Sequence, residues 1–432
     1  MSDDLIDVPI LTRVEGEGAL TLKLRDGKLI DAQLRIYEPP RLFEALLRGR
    51  PLEDAPDITA RICGICPVAY QMSAVHALEM ALGVRITPDI RKLRRLLYCG
   101  EWIESHALHV HLLHAPDFFG AASGIELAKQ FPAEMTRGLR LKKVGNELLE
   151  TIGGRAIHPI NTAVGGFYRW PKREAWDALI PAFKQGLEDA QAAARWVATF
   201  PFPDVEQDYE SVCVAGPNEY PFNEGGVAIG TALTIPVTDY EKHFAERHVA
   251  HSTALQSVRL PAETAYLVGP LARWNLQHGN LLPAAKRLAE EIGFEIPCRN
   301  PFRAIVARSI ELVQAYEEAL AILEEGVPRG PSRIDYQPRA GQGCAATEAP
   351  RGLLYHHYEI DDAGTIVSAR IIPPTSQNQG QIENDLRSYA TRQLAASSAR
   401  DKVAVDCERL VRSYDPCISC ATHFLKVHWE DA

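Results

Sequence analysis

Two Cys-x-x-Cys pairs stand at opposite ends of this 432-residue chain, and they constrain its fold more than any other feature. The first pair is Cys63 and Cys66, and the second is Cys417 and Cys420. If the ends of the chain meet in space, four thiolates converge. Such a set selects a soft or borderline transition metal over magnesium or calcium. The two pairs therefore predict a fold that closes on itself around a metal.

The residues around the first pair predict how it is presented. Pro67 suits the first turn of a helix predicted over residues 68–82. Cys66 would then lie at the N-terminus of that helix, where the helix dipole favours a thiolate. Gly64 is expected to let the backbone turn tightly between the two sulfurs.

The second pair extends to a histidine, because Cys417, Cys420 and His423 recur at intervals of three residues. On a helical turn these side chains share one face. Paired Cys-x-x-Cys motifs most often form a four-cysteine zinc site, but a rubredoxin-like iron site or a redox disulfide in one pair also fits. Zinc-binding pairs usually lie closer together in sequence, which weakens the zinc and rubredoxin-like alternatives without excluding them.

Charge and composition narrow the class of protein. The formal net charge is -10, which argues against nucleic acid as the main partner. Nine cysteines are too dilute for a disulfide scaffold, so a reducing compartment is expected. The N-terminus is acidic where an export signal is basic, and no apolar run approaches the roughly 20 residues that span a bilayer. We therefore expect a cytoplasmic protein.

Hydrophobic periodicity predicts a mainly helical chain with β-hairpins at its periphery. Alternation over residues 18–37, around an Asp-Gly turn, and over residues 354–372 predicts the two hairpins. Segments rich in glycine and proline, residues 200–236 and 326–350, are predicted to be loops. Helical spacing predicts long helices over residues 90–113, 133–152, 172–199, 302–325 and 381–410. The expected fold class is α+β, predominantly α, with a core of long helices.

Histidines and cysteines outside the two pairs could also act as ligands. Four histidines crowd one segment, and we interpret them as buried, hydrogen-bonded side chains and not as a metal site; they are His106, His109, His111 and His114. The other five cysteines have no spacing suited to an iron–sulfur cluster; they are Cys99, Cys213, Cys298, Cys344 and Cys407. If this chain handles electrons, they must leave through another polypeptide.

Together, these motifs resemble those of a known family, the large catalytic subunits of nickel–iron hydrogenases. Residues 61–66, Arg-Ile-Cys-Gly-Ile-Cys, and residues 415–423, Asp-Pro-Cys-Ile-Ser-Cys-Ala-Thr-His, are similar to its two nickel-binding signatures. Other matching segments follow in order: Thr-Arg-Val-Glu-Gly at 12–16, Glu-Ser-His-Ala-Leu-His at 104–109, Gly-Gly-Arg-Ala-Ile-His at 153–158, Val-Gly-Gly at 164–166 and Glu-Ala-Pro-Arg-Gly at 348–352. The likeness is greatest to the bidirectional NAD(P)-linked and sulfhydrogenase branch.

The resemblance implies a nickel–iron centre whose iron carries cyanide and carbon monoxide. Cys63, Cys66, Cys417 and Cys420 would bind nickel, and Cys66 and Cys420 would also bind iron. Arg351 would lie over the iron, since a fixed cationic donor suits an anionic ligand in a dry site. Thr375, next to Pro374, would hydrogen-bond a cyanide.

The resemblance also implies a route for protons and a second metal. Glu15 would relay the proton that H2 cleavage leaves on a terminal thiolate, for which Cys417 is the expected acceptor. Asp117 matches an acid near the metals.

A magnesium site is implied as well. It would be bound by Glu44, by a backbone carbonyl near Ile371 and by His423, consistent with a largely hydrated octahedral ion.

The implied protein is a single domain, residues 1–423, followed by a 424–432 extension that an endopeptidase removes. Its parts would be an N-terminal hairpin region at about 8–37, a helical core at about 67–330, and a C-terminal hairpin with helices at about 350–423. Its implied activity is reversible, heterolytic H2 cleavage.

Its implied partners are an iron–sulfur small subunit, flavin and NAD(P) diaphorase subunits, and nickel-insertion proteins. The alternatives are an H2-sensing subunit and a non-enzymatic protein held together by zinc. A quinone-binding subunit of NADH dehydrogenase is disfavoured because such chains lack the cysteine pairs.

Overall fold

The fold was examined in a computed structural model, which describes residues 3–216, 218–396 and 398–422. The α-helices of these residues are α1 (Phe43–Leu47), α2 (Ala55–Ala60), α3 (Pro67–Leu82), α4 (Pro88–Leu108), α5 (Ala115–Phe118), α6 (Gly124–Gln130), α7 (Pro132–Gly153), α8 (Arg173–Ala198), α9 (Tyr240–His243), α10 (Pro270–Gln277), α11 (Pro283–Glu291), α12 (Ala304–Glu325), α13 (Pro374–Ala395) and α14 (Arg400–Ser413). The strands are β1 (Asp3–Val8), β2 (Gly18–Arg25), β3 (Lys28–Ile36), β4 (Thr162–Ala163), β5 (Gly166–Phe167), β6 (Val212–Ala215), β7 (Gly226–Ile229), β8 (Leu233–Ile235), β9 (Phe244–Arg247), β10 (Gln256–Arg259), β11 (Gly341–Ala349), β12 (Gly352–Ile360) and β13 (Ile366–Ile372).

The core is built from the long helices α4, α7, α8 and α12. Helix α4 packs between α7 and α12, and α8 packs against both α7 and α12. Each helix turns an apolar stripe toward the others, and Trp102 of α4 and Trp176 of α8 are completely buried. The four helices begin and end within two residues of the boundaries predicted from periodicity, except at the C-terminus of α4. No helix of the described residues combines the length and low polarity that crossing a membrane requires.

The C-terminal end of α4 departs from the prediction. The predicted helix over residues 90–113 ends as an α-helix at Leu108 and continues as a π-helical turn, His109–His114. The wider turn brings the rings of His109 and His114 to 5.3 Å between centroids. Such turns are rare in proteins and concentrate at functional sites.

Among the described residues, three three-stranded antiparallel sheets and two two-stranded ones, β4-β5 and β9-β10, flank the helices. Both predicted hairpins are confirmed, and each gains a third strand, giving the orders β1-β2-β3 and β11-β12-β13. The third sheet, β6-β7-β8, lies in the segment 200–236 that was predicted to be loop, and β11 lies in the other predicted loop, 326–350. Those two predictions were wrong because these strands are specified by neighbouring elements and not by an alternating pattern of their own.

The predicted helix over residues 381–410 is two helices. Helix α13 begins earlier, at Pro374, and ends at Ala395, and α14 begins at Arg400. The early start matters because Pro374 occupies the first turn of α13, where a proline costs no hydrogen bond, and places Thr375 at the N-terminal end of the helix.

The two ends of the chain are joined by backbone contacts. Glu15 and Cys417 form a parallel bridge, in which the Ile418 amide donates to the Glu15 carbonyl at 2.9 Å. The Arg41 amide donates to the Thr422 carbonyl at 2.6 Å, and the Arg41 guanidinium donates to the carbonyls of Ile62 and Ser419. One arginine thus contacts the backbones of both cysteine motifs.

A substitution at Gly343 tests how closely α3 packs against β11. A β-carbon at this position would lie 2.1 Å from the Ala77 carbonyl oxygen and 2.6 Å from the Ala81 amide, both in the backbone of α3. We expect Gly343→Ala to destabilise the fold by about 1–3 kcal/mol through overpacking, measured as a lower thermal midpoint. Gly279→Ala is the matched control, since a β-carbon there meets nothing within 4 Å. An unchanged midpoint for Gly343→Ala would show that the helix and strand do not pack this closely.

Candidate metal centre

The four cysteines of the two pairs come together in one buried cluster. Their sulfur atoms all lie within 4.8 Å of one another, and no side chain among them is more than 3% exposed. The Cys63 and Cys417 sulfurs are 3.5 Å apart, and those of Cys417 and Cys420 are 2.9 Å apart. These distances exceed the length of a disulfide bond, and the four cysteines are not joined as disulfides.

The first pair is placed by the N-terminus of α3. Cys66 is the N-cap residue, as predicted, and its amide and that of Ile65 donate to the Cys63 sulfur at 3.2 and 3.3 Å. Backbone donors of this kind stabilise a thiolate. The predicted need for glycine at position 64 was wrong in its physical reason, because a β-carbon there would meet nothing within 4 Å and Gly64 has no left-handed φ.

A buried carboxylate completes the N-terminus of α3. Glu101 of α4 accepts hydrogen bonds from the Val68 amide at 2.5 Å and the Ala69 amide at 3.1 Å. Burial raises the pKa of Glu101 well above its ordinary value. The sequence held no signal for this contact, because the partners lie more than 30 residues apart and on different helices.

Cys420 lies on a 3₁₀ turn, Ser419–Thr422, and Cys417 lies two residues before it, in the bridge to Glu15. The chain turns directly after Cys417, which brings the sulfurs of Cys417 and Cys420 into contact. The Cys417 amide donates to the Thr375 hydroxyl at 2.9 Å, so the N-terminus of α13 anchors this turn. The predicted ligand His423 lies outside the described residues.

The cluster fits a cationic metal. Burial by itself opposes ionisation of the Cys63 thiol, but hydrogen bonds from the other three thiols hold its pKa well below the ordinary value. The pKa of Cys417 is raised well above its ordinary value, chiefly through hydrogen bonds with Cys420 and Cys63. Four buried sulfurs at this spacing can all ionise only if a cation neutralises them, and soft thiolates suit a transition metal.

Arg351 and Asp415 form a buried ion pair beside the cysteines. The Arg351 guanidinium donates to the Asp415 carbonyl at 2.8 Å and to its carboxylate at 3.1 Å. Both residues are about 2% exposed. Asp415 has a left-handed φ of 55°, a strained conformation two residues before Cys417, and the arginine fixes it. The charge of Arg351 also contributes to the low pKa of Cys63.

A network of buried charges positions the segment that carries Arg351. Arg273 donates to the Glu311 carboxylate at 2.6 Å, to that of Glu348 at 2.8 Å, and to the Pro350 carbonyl at 2.9 Å. Arg273 stacks over Trp102, with its guanidinium carbon 4.3 Å from the ring centroid. Sequence analysis did not identify Arg273, since an isolated arginine in an amphipathic helix gives no distinguishing signal.

Glu15 contacts the cysteine cluster, as predicted. Its Oε2 atom lies 3.0 Å from the Cys417 sulfur, which donates the hydrogen bond, and accepts a second bond from the Ser419 amide at 3.1 Å. Glu15 is half-buried, and its carboxyl contacts the sulfur directly. This is the geometry that general acid–base transfer requires.

Asp117, predicted as an acid near the metals, lies in an ion-pair network. It pairs with Arg13 at 2.5 Å and with Arg412 at 2.8 Å, and His114 lies 3.2 Å away. Although burial opposes ionisation, His114 and Arg412 hold the pKa of Asp117 well below its ordinary value. The described contacts of Asp117 are to these three cationic or ionisable partners and not to a cysteine.

The four clustered histidines are buried side chains, each with a hydrogen bond, as expected. His106 bonds Glu311 at 2.9 Å, His109 bonds the Arg412 carbonyl at 2.9 Å, and His111 bonds the Ala107 carbonyl at 3.1 Å. Burial lowers the pKa of His106, His111 and His114 to about 4, so the rings are neutral near pH 7. They connect α4 and its π turn to the rest of the core.

Tyr70 is a further residue at the cluster. It is fully buried on the first turn of α3, and its pKa is raised well above the ordinary value by burial and by the nearby Cys420. Its hydroxyl therefore keeps its proton beside the sulfurs.

The predicted magnesium ligands Glu44 and Ile371 are neighbours. Glu44 lies on α1, and its Oε1 atom accepts a hydrogen bond from the Ile371 amide at 2.7 Å. Ile371, near the end of β13, is 1% exposed. The structure thus brings two of the three predicted ligands together.

Comparison with known proteins shows which family has this arrangement. The family model described as nickel-dependent hydrogenase matches residues 41–155 and 263–423. Sulfhydrogenase 2 subunit alpha of Pyrococcus furiosus is 35% identical over 98% of this chain and 100% of its own length. Sulfhydrogenase 1 subunit alpha of the same organism is 31% identical over 98% of each. The crystal structure of an NAD+-reducing [NiFe]-hydrogenase in the H2-reduced state superposes with a TM-score of 0.86 and 28% identity, covering 97% of this chain and 99% of that one.

The ion pair beside the cysteines gives a stability prediction. We expect Arg351→Met to lower the stability by about 3–5 kcal/mol, because it leaves the Asp415 carboxylate buried without its main cation. The double variant Arg351→Met/Asp415→Asn is expected to recover part of this loss, since it removes the unpaired charge. Thermal midpoints of the assembled enzyme report both effects, and an undiminished midpoint for the single variant would contradict the pair.

Proposed function

The chain belongs to the nickel-dependent hydrogenase family and is the catalytic large subunit of a hydrogenase, an oxidoreductase acting on H2; we propose that it serves an NAD(P)-linked complex of the sulfhydrogenase type. The observation that carries the site is the convergence of four thiols from opposite ends of the chain. The NAD(P) link is supported by the similarity to an NAD+-reducing enzyme and to sulfhydrogenase alpha subunits.

The four thiols are proposed to hold the metals. Cys63, Cys66, Cys417 and Cys420 would bind nickel, and Cys66 and Cys420 would share iron. When bound, such a centre, with cyanide and carbon monoxide on the iron, supplies the site at which H2 is cleaved heterolytically. Burial of every sulfur supports this assignment, because it excludes water and strengthens the electrostatic interactions of the site.

Arg351, Pro374 and Thr375 are proposed to line the iron side of the site. Arg351 is fixed by Asp415, and its cationic fork is suited to an anionic diatomic ligand. Thr375 already accepts from the Cys417 amide, which leaves its hydroxyl proton available to donate. Pro374 fixes the backbone that presents Thr375.

The proton is proposed to leave through Cys417 and Glu15. The thiol of Cys417 donates to the carboxylate of Glu15 at 3.0 Å, so a proton on this sulfur has an acceptor at hydrogen-bond distance. The second bond, from the Ser419 amide, orients the carboxylate toward the sulfur. For Asp117 we propose a supporting role, in which its anion holds Arg13 and Arg412 against the π turn.

A magnesium ion is proposed to bind at Glu44, at the backbone carbonyl of Ile371 and at His423. The contact between the Glu44 carboxylate and the Ile371 backbone supports a shared site. One carboxylate with a carbonyl and several waters is a donor set that suits Mg²⁺.

Electrons are proposed to leave through other subunits. Within the described residues, the four-cysteine cluster is the one group of three or more metal-ligating side chains within ligand distance of each other. An iron–sulfur small subunit and flavin-containing diaphorase subunits would carry electrons onward in the cytoplasm. Nickel-insertion proteins and an endopeptidase that removes residues 424–432 would complete maturation; that extension lies outside the described residues.

The metal centre is tested on the purified complex by metal analysis and infrared spectroscopy. We expect nickel, iron and magnesium, with cyanide and carbonyl stretching bands, and we expect Cys63→Ser to lose nickel because a hydroxyl is a poor ligand for it. Ser252→Ala, a change outside the cluster, is the control. Zinc in place of nickel and iron, without the infrared bands, would favour the structural zinc alternative.

The role of Glu15 is tested with Glu15→Gln, which keeps the size of the side chain and removes its basic oxygen. We expect H2 oxidation to fall at least about 10²-fold with nickel and iron contents unchanged, as for removal of a general base. Near-normal turnover would remove Glu15 from the proton route.

An H2 sensor is the second candidate function, and slow turnover of the wild-type complex with an intact metal centre would favour it.

A further inference from the structure

A second carboxylate lies beyond Glu15, and one serine contacts both. The Ser419 amide donates to Glu15 Oε2 at 3.1 Å, and the Ser419 hydroxyl donates to Glu38 Oε2 at 3.0 Å. Ser419 lies between Cys417 and Cys420, and it is 9% exposed. The contacts therefore run from the Cys417 sulfur through Glu15 and Ser419 to Glu38.

The Ser419 hydroxyl has the chemistry of a relay. It has one proton, which it gives to Glu38, and its oxygen can accept a further hydrogen bond. The Glu15 Oε2 atom accepts from the backbone amide of the same serine, which places the Glu15 carboxyl next to this residue. Once the Glu15 carboxyl turns from the amide to the hydroxyl of this serine, the hydroxyl can accept its proton while it donates its own to Glu38.

Hydrogen bonds from two other residues position Glu38 next to Ser419. It follows β3, its backbone carbonyl accepts a hydrogen bond from the Thr253 hydroxyl at 2.8 Å, and its Oε2 atom also accepts from the Glu17 amide at 3.3 Å. The residue is half-buried, and its carboxyl faces Ser419 through the Oε2 atom. This is the position of an exit group.

Gly16 provides the space in which the two carboxylates approach the serine. It has a φ of 85°, and a β-carbon there would lie 2.8 Å from Glu38 Oε2 and 2.8 Å from the Ser419 amide nitrogen. Glycine is the residue that fits both the backbone conformation and the gap. The close approach of the Glu15–Glu17 backbone to the Ser419 turn thus depends on it.

We propose that Glu38 is the proton acceptor that follows Glu15, and that the Ser419 hydroxyl carries the proton between them. The Glu15 O–H bond breaks as a new O–H bond forms on Ser419, and the original Ser419 proton passes to Glu38, so that the serine is unchanged and no electrons move. The proposal rests on the proposed role of Glu15 and extends it to the exit. Direct release from half-buried Glu15 to water is the competing route.

The test compares Glu38→Gln, Ser419→Ala and the double variant in the assembled enzyme. We expect each single variant to slow H2 oxidation at least about tenfold and to raise the solvent deuterium isotope effect, because proton transfer becomes limiting. The double variant should lose no more than the slower single variant, since both residues act in one route. Glu38→Asp should restore part of the rate. Glu53→Gln is the matched control, because Glu53 also accepts a hydrogen bond from a hydroxyl, that of Tyr336.

Two readouts are independent of turnover. Nickel and iron contents should equal those of the wild type in every variant, because no metal ligand is changed. H2-induced infrared difference spectra should contain a carboxylic-acid C=O band that disappears in Glu38→Gln and in Ser419→Ala but persists in Glu53→Gln.

The outcomes separate this proposal from the one it rests on. Wild-type rates and isotope effects in Glu38→Gln, together with slow Glu15→Gln, would overturn the relay and favour direct release from Glu15. Near-normal turnover in Glu15→Gln would instead refute the proposed role of Glu15. Loss of metal in Glu38→Gln would show that its carboxyl is structural and would also overturn the relay.

Discussion

The parallel contact between the segments of Glu15 and Cys417 is the interaction on which the rest of the structure depends. It joins the two ends of the chain by a backbone hydrogen bond at 2.9 Å, and the same residues are joined again by a bond from sulfur to carboxylate. Arg41 reinforces the junction by contacting the backbones of both cysteine motifs. Without this closure each pair would offer only two thiols, too few to enclose the metals proposed here.

The features of this arrangement that depend on local sequence could be predicted. Pro67 marks a helix start, the alternation of residues 18–37 marks a hairpin, and the Cys-x-x-Cys spacing marks the cluster. Strands β6 and β11 were missed because their pairing partners, and not their own pattern, specify them. The break between α13 and α14 was missed because no proline or glycine marks it.

The electrostatic surroundings of the cluster were the least predictable part. Arg273, Glu101 and Ser419 act through contacts with residues far away in the sequence, and each looks ordinary in its own segment. Their effect appears only when buried charges are brought together, since burial makes each unpaired group costly and each pair specific. Sequence therefore identified the four cysteines of the cluster, and the fold was needed to identify what orients them.

The order of the two cysteine pairs along the chain has a consequence for biosynthesis. The ribosome delivers Cys63 and Cys66 early, whereas Cys417 and Cys420 emerge after all the helices from α1 to α14. The sequence of the long helices is complete while half of the sulfurs are still missing, and Arg351 has no Asp415 to bind until then. Translation thus leaves the cluster open on one side until the Ser419–Thr422 turn docks, and the proposed metals would be enclosed only then.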